Sequence, residues 1–253
     1  MKRRWIAAVL ALVAVLGAAV AAAAFRTDPP VMTCGDFSLS NTELSYYYWS
    51  EYFYFSEAYG DYLADTVDFS QPLEDQPYDA SRSWQDFLLE ETLTTVRDTM
   101  SMFFQAEQTG FELPEDYLGT YRQVLVNFAA AAQEGGYADL EAYLRASYGR
   151  QADRESFERY LYHSHLAAAY SDRLLEDCRP SDEECRAYFA DREAEYTELY
   201  GADPDDESTW LEQVRQDLQT EAYQNAFLTI CSGYTFLVNE DAVKLTPPEG
   251  LYD

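Results

Sequence analysis

The chain has 253 residues, a length that fits one main domain plus a targeting segment. Apolar residues make up 47% of it, enough for a sizeable core, and 46 acidic against 17 basic side chains give a formal charge of −29. Such a surface repels phosphate backbones and anionic lipid, which excludes nucleic acid as a partner class and confines membrane contact to the N-terminus. The charge keeps an exported protein soluble; recruitment of basic clients is the sharper alternative.

Residues 1–24 read as a separate unit. Lys2, Arg3 and Arg4 form a positive n-region, and an unbroken apolar run from Trp5 to Ala24 follows. The run is long enough to span a bilayer, and Ala22, Ala23 and Ala24 suit a signal peptidase. It is a signal peptide or a membrane anchor, and either places the rest of the chain outside the cytoplasmic membrane. Residues 25–31, with Pro29 and Pro30, read as a linker.

Met32 to Leu39 alternates around Gly35-Asp36, the pattern of a small β-hairpin. Ser40-Asn41-Thr42-Glu43 is a capping box that predicts a helix to about Tyr59, stopped at Gly60. Residues 61–83 read as irregular, broken by Pro72 and Pro77. Ser83 opens a second helix that Gly110 stops, and Pro114 sits in the first turn of a third, ended by Gly135-Gly136. A short helix over 140–147 stops at Gly149, and a long one runs from about Asp153 to Asp177. Ser181-Asp182-Glu183-Glu184 is another capping box, 201–207 is an acidic break, and Trp210 to Ile230 is the last helix. Tyr234 to Val238 is the best strand by composition. A lone strand is unstable, so it is expected to pair with the opening hairpin and join the two ends of a 32–245 domain. Residues 246–253 are polar and proline-rich and read as a flexible tail. The fold class is mostly α, many helices with a small β pairing between the terminal strands.

Local motifs give no catalytic site. His163 and His165 stand two apart on a helix and point to nearly opposite sides, so they do not chelate one metal. No GxSxG, P-loop or GxGxxG pattern occurs. Carboxylates are so frequent that no chosen pair marks a glycosidase-like site. No cofactor and no metal is expected. The four cysteines allow two readings outside the membrane. Cys178 pairs with Cys185 across Arg179-Pro180, leaving Cys34 to Cys231, or all four are free thiols.

The aromatic residues are the chain's most unusual feature. Tyr46-Tyr47-Tyr48-Trp49 and Tyr52-Phe53-Tyr54-Phe55 surround the first helix on all sides. Such a helix is buried, or it offers a face to a partner. In the first case Leu44, Tyr48, Phe55 and Tyr59 are core and the other tyrosines line a neighbouring helix. In the second, Tyr47, Trp49, Tyr52 and Phe53 form one wall of a groove for unfolded polypeptide, with Trp84, Phe87, Phe103 and Phe104 as the other wall.

Three patterns together resemble the exported foldases and chaperones of the SurA/PrsA type. The stretch Thr33-Cys34-Gly35-Asp36-Phe37-Ser38-Leu39-Ser40-Asn41-Thr42-Glu43-Leu44 looks like the family's strand–turn–strand–helix opening, with Cys34-Gly35 where Asn-Gly is usual. Pro180-Ser181-Asp182-Glu183-Glu184-Cys185-Arg186-Ala187-Tyr188-Phe189 is similar to the stretch that precedes the parvulin domain. Phe236-Leu237-Val238-Asn239-Glu240-Asp241 looks like the segment that returns after it. The resemblance implies a SurA/trigger-factor-like helical chaperone domain that binds unfolded or secreted polypeptides. It departs at 197–209, a gap far too short for a prolyl isomerase domain, so isomerase activity is not expected. A dedicated scaffold module of the cell envelope is the alternative, and a degenerate isomerase is the weaker one.

Overall fold

The computed structural model describes residues 29–252. The expected targeting segment and most of the linker lie outside them. No helix among the described residues is long and apolar enough to cross a membrane.

The chain opens with the expected hairpin. Strands β1 (Met32–Cys34) and β2 (Phe37–Leu39) pair antiparallel, and Gly35 turns between them at φ +57°, a conformation that suits glycine. Strand β3 (Leu237–Val238) pairs antiparallel with the other edge of β1, Met32 opposite Val238 and Thr33 opposite Leu237. The sheet order is β2-β1-β3, so the two ends of the domain do close on each other. The last strand is shorter than expected: Tyr234 to Phe236 lie outside it, with Tyr234 and Phe236 packed on Phe104 instead.

Seven helices fill the interval. They are α1 (Asn41–Leu63), α2 (Trp84–Thr109), α3 (Glu115–Glu134), α4 (Leu140–Tyr148), α5 (Arg154–Asp177), α6 (Asp182–Tyr200) and α7 (Leu211–Ser232). Ser40, Ser83 and Ser181 cap α1, α2 and α6 with complete capping boxes. Each box satisfies backbone N–H groups that would otherwise lack a partner, which fixes where the helix starts. Helix α1 runs through Gly60 to Leu63, because a single glycine weakens a helix without ending it. Pro114 is the N-cap of α3 rather than a first-turn residue. The 61–83 region holds a 3-10 turn at Leu73–Asp75.

The main core lies between the sheet and α1, α2 and α5. It joins Val31, Met32 and Leu39 to Leu44, Tyr47, Val96, Met100, Phe103 and Leu166, and α2 against α5 is the most extensive helix pair. A second cluster holds Tyr48, Trp49 and Tyr52 of α1 against Val67, Leu73, Trp84 and Leu88. A third gathers Leu144, Phe157 and Leu161 around Tyr46. The fourth belongs to the α6–α7 hairpin, where Phe189 stacks on Trp210 at 3.9 Å and 5°.

Segment 246–252 corrects an expectation: it is packed, not a free tail. Pro248 is buried and Leu251 packs against the second cluster. The Trp49 indole N–H donates to the Thr246 carbonyl at 3.0 Å, and the Glu249 N–H donates to the Ala146 carbonyl at 2.8 Å.

Candidate functional site

Helix α1 divides at about Tyr52. Its first half is surrounded on every side, as an all-round apolar helix must be. Tyr46 faces α4 and α5, Tyr47 meets Tyr160 edge-on at 4.7 Å, and Tyr48, Trp49 and Tyr52 face α2 and the loop before it. Backbone carbonyls satisfy three of the polar tips. Tyr46 donates to Asp153, Tyr52 to Phe69 and Trp49 to Thr246. Burial, the first cause in each case, pushes the phenols of Tyr46, Tyr48 and Tyr52 well above the usual tyrosine range. They stay neutral donors at any physiological pH. The second half turns outward, leaving Phe53 42% and Tyr62 86% exposed.

This arrangement corrects the two-walled groove. Tyr47, Trp49, Tyr52, Trp84 and Phe103 are buried and offer no face to a partner. Phe87 is half-buried and lies beneath the ring of Tyr78, stacked at 4.4 Å. Phe104 is half-buried among Phe37, Tyr234 and Phe236. The proposed second wall is also not one surface. Trp84 and Phe87 open α2 whereas Phe103 and Phe104 near its end are about 25 Å further along. Phe53 is the one nominated residue that reaches an open cleft.

That cleft holds about 510 Å³. Phe53 of α1, Phe128 of α3, Tyr137 of the following loop, Tyr143 and Tyr148 of α4, and Pro248 to Leu251 line it. The rings support one another: Tyr137 packs on Tyr143 at 5.3 Å and Phe128 on Tyr143 at 5.9 Å. Glu249 is the only charged side chain in the lining. Burial, and then the neighbouring Tyr160, pushes the Tyr148 phenol up to about 12, so it presents a neutral hydroxyl. Aromatic faces with a few hydroxyl tips suit apolar side chains and a peptide backbone. The lining contains no histidine or cysteine to act as base or nucleophile. Sequence reasoning missed the residues that α3 and α4 contribute. The aromatic spacing over Tyr137, Tyr143 and Tyr148 was the available signal.

The histidines and cysteines lie elsewhere. His163 is half-buried against Phe103, with ring centres 4.3 Å apart. Burial lowers its pKa to about 4 and keeps it neutral. The Nδ1 of His165 lies 2.8 Å from the Leu161 carbonyl, so it carries the proton and donates. All four cysteines are free, and neither expected disulfide is present. Cys185 is fully buried with Phe189 and Trp210, while Cys178 caps the end of α5. Cys231 is engaged with Asp98 and Ser101 of α2, and burial, followed by the Asp98 charge, pushes its thiol up to about 11. No group of three or more His, Cys, Asp or Glu among the described residues is placed to hold a metal ion.

Comparison with protein-family models, curated proteins and solved structures gives no match.

Proposed function

We propose that this chain is an extracytoplasmic, chaperone-like domain that binds non-native polypeptides and has no prolyl isomerase activity. The observation that carries the reading is the aromatic cleft between α1, α3 and α4, open at Phe53 and Tyr137 on an otherwise strongly acidic body. Export is supported by the basic, then apolar, opening of the sequence. The resemblance of the 33–44, 180–189 and 236–241 stretches to SurA/PrsA-type proteins points the same way. Burying one or two client side chains in the cleft contributes roughly 1.5–3 kcal/mol each, offset by the cost of ordering the client. Binding is therefore modest in affinity and tolerant of sequence. High negative charge disfavours acidic clients and keeps client complexes soluble.

The test is suppression of aggregation of a reduced, unfolded protein by the mature chain. Wild type is expected to protect at a few-fold molar excess, and a Phe53→Ser/Tyr137→Ser double variant to lose most of that protection with its Tm unchanged. No protection at several-fold excess contradicts the reading. Recovery of one protein alone in a pull-down points to the single-partner scaffold instead.

A further inference from the structure

One wall of the cleft is the chain's own segment 246–252, and it is held as a bound peptide is held. The segment forms no helix or strand. Its Thr246 carbonyl accepts from the Trp49 indole at 3.0 Å, and its Glu249 N–H donates to the Ala146 carbonyl of α4 at 2.8 Å. Pro248 is buried, Leu251 packs on the cluster around Trp49, Leu73 and Trp84, and the Tyr252 hydroxyl meets that of Tyr52. The groove is cut to let this backbone in. At Gly149, which has φ +91°, a Cβ would lie 2.2 Å from the Thr246 carbonyl oxygen, so no larger residue fits there. On the outer side, Arg145 and Arg150 line a hollow of about 450 Å³ beside Glu249. Arg145 is ion-paired with Glu141 of its own helix, so Arg150 is the cation that shares this hollow with the one carboxylate of the segment, in a chain of 17 basic against 46 acidic residues.

We infer that the groove between α1 and α4 recognises proline-containing apolar segments that turn just after the prolines and carry an acidic residue beside them, and that 246–252, which turns from Pro248 to Leu251, occupies it as an internal pseudo-ligand. A client segment of the same chemistry binds by displacing it. The indole N–H and the Ala146 carbonyl supply two backbone contacts, and the turn in which the Leu251 N–H donates to the Pro248 carbonyl at 3.4 Å presents Leu251 as one aliphatic anchor. An internal ligand raises the apparent Kd of any competitor by the factor that its own docking represents. This inference rests on the polypeptide-binding reading and names the segment class taken by the groove that adjoins the cleft, whose occupant forms one of the cleft's walls.

The experiment uses the full chain and a fluorescent synthetic peptide carrying residues 245–252. Leu251→Asp places a charge in the apolar cluster and releases the internal segment. The peptide is expected to bind this variant at least ten-fold more tightly than wild type, and a peptide with proline 248 replaced by serine to bind several-fold more weakly. If Leu251→Asp disturbs the fold, wild type is used with excess peptide and exchange of the Glu249 amide is followed. Displacement speeds that exchange at least several-fold. Absence of peptide binding to Leu251→Asp while 246–252 exchanges freely, or no change in Glu249 exchange at saturating peptide, overturns the inference. The two failures are distinguishable. Peptide binding without suppression of client aggregation removes the chaperone reading and leaves the groove. Suppression that Leu251→Asp neither raises nor lowers, without peptide binding, removes the groove and leaves the chaperone reading.

Discussion

Asn41 on the first turn of α1 holds Ala242, 201 residues away in sequence: its Nδ2 donates to the Ala242 carbonyl at 2.8 Å. Its Oδ1 accepts from the Lys244 N–H at 2.6 Å. One buried amide therefore satisfies two backbone groups of the returning chain, beside the β1–β3 pairing. Asn41→Ala leaves both groups unpaired and is expected to cost about 2–3 kcal/mol. For a domain of this size that is a fall in Tm of about 5 °C or more, read by calorimetry. Asn41→Asp, which keeps the acceptor and turns a charge toward the Ala242 carbonyl, is expected to be no better than alanine.

Glu43 does two jobs. It closes the capping box with Ser40, and its other oxygen accepts from Arg159 of α5 at 2.7 Å. The pair is asymmetric, with the Glu43 side chain 7% exposed and Arg159 45%. Removing Arg159 strands a buried carboxylate, whereas removing Glu43 frees an arginine that water reaches. Arg159→Ala and Glu43→Ala are each expected to cost about 2 kcal/mol, the second mostly through the lost cap. The double variant is expected to cost clearly less than the sum, a coupling that a double-mutant cycle in urea measures. Strict additivity contradicts the pairing.

His163 makes the fold sensitive to mild acid. Its folded pKa is lowered from 6.5 to about 4, by burial first; Glu43 works against the shift and Arg159 with it. The unfolded chain therefore takes up the proton first as pH falls. The stabilisation is fully present above about 6.5 and is lost progressively as pH drops toward 4. Allowing for partial exposure, the loss is about 2 kcal/mol. His163→Gln is expected to flatten that part of the stability–pH curve. A variant with an unchanged slope between pH 6.5 and 4 contradicts the assignment.

The thiols give a covalent readout. Alkylation in denaturant without reductant is expected to add four labels, one for each free cysteine. In the native protein, fully buried Cys185 is expected to react only on unfolding. Cys231 is expected to react slowly at pH 8, because its thiol titrates near 11. Mass spectrometry follows both, and no labels in place of four would restore the reading of two disulfides.

Local chemistry made much of the fold legible in the sequence. Ser40, Ser83 and Ser181 each announce a helix start through a side chain that bonds three residues on. The β1–β3 pairing followed from the instability of a lone strand. What was not legible depends on distant partners. The all-round aromatic pattern of α1 does not say which half is buried, because that is decided by α2, α4 and α5 closing on Tyr46 to Tyr52, while Phe53, Tyr54, Tyr59 and Tyr62 stay exposed and Phe55 alone of the later aromatics packs inward. Thr246-Pro247-Pro248 reads as free chain by composition, yet an indole 197 residues earlier and the missing Cβ of Gly149 hold it. The cleft combines α1, α3, α4 and this segment, none adjacent to all the others in sequence, so only Phe53 of its lining was nominated.

Site-specific photo-crosslinking tests the central claim most directly. A benzophenone amino acid is placed at Phe53 in the cleft, and in a second sample at Leu228, which is 63% exposed on α7 away from it. Mixed with a reduced, unfolded client and irradiated, the position-53 protein is expected to form a client adduct and the position-228 protein little or none. Adducts of equal yield at both positions, or none at position 53 under conditions where aggregation is suppressed, contradict binding through the aromatic cleft.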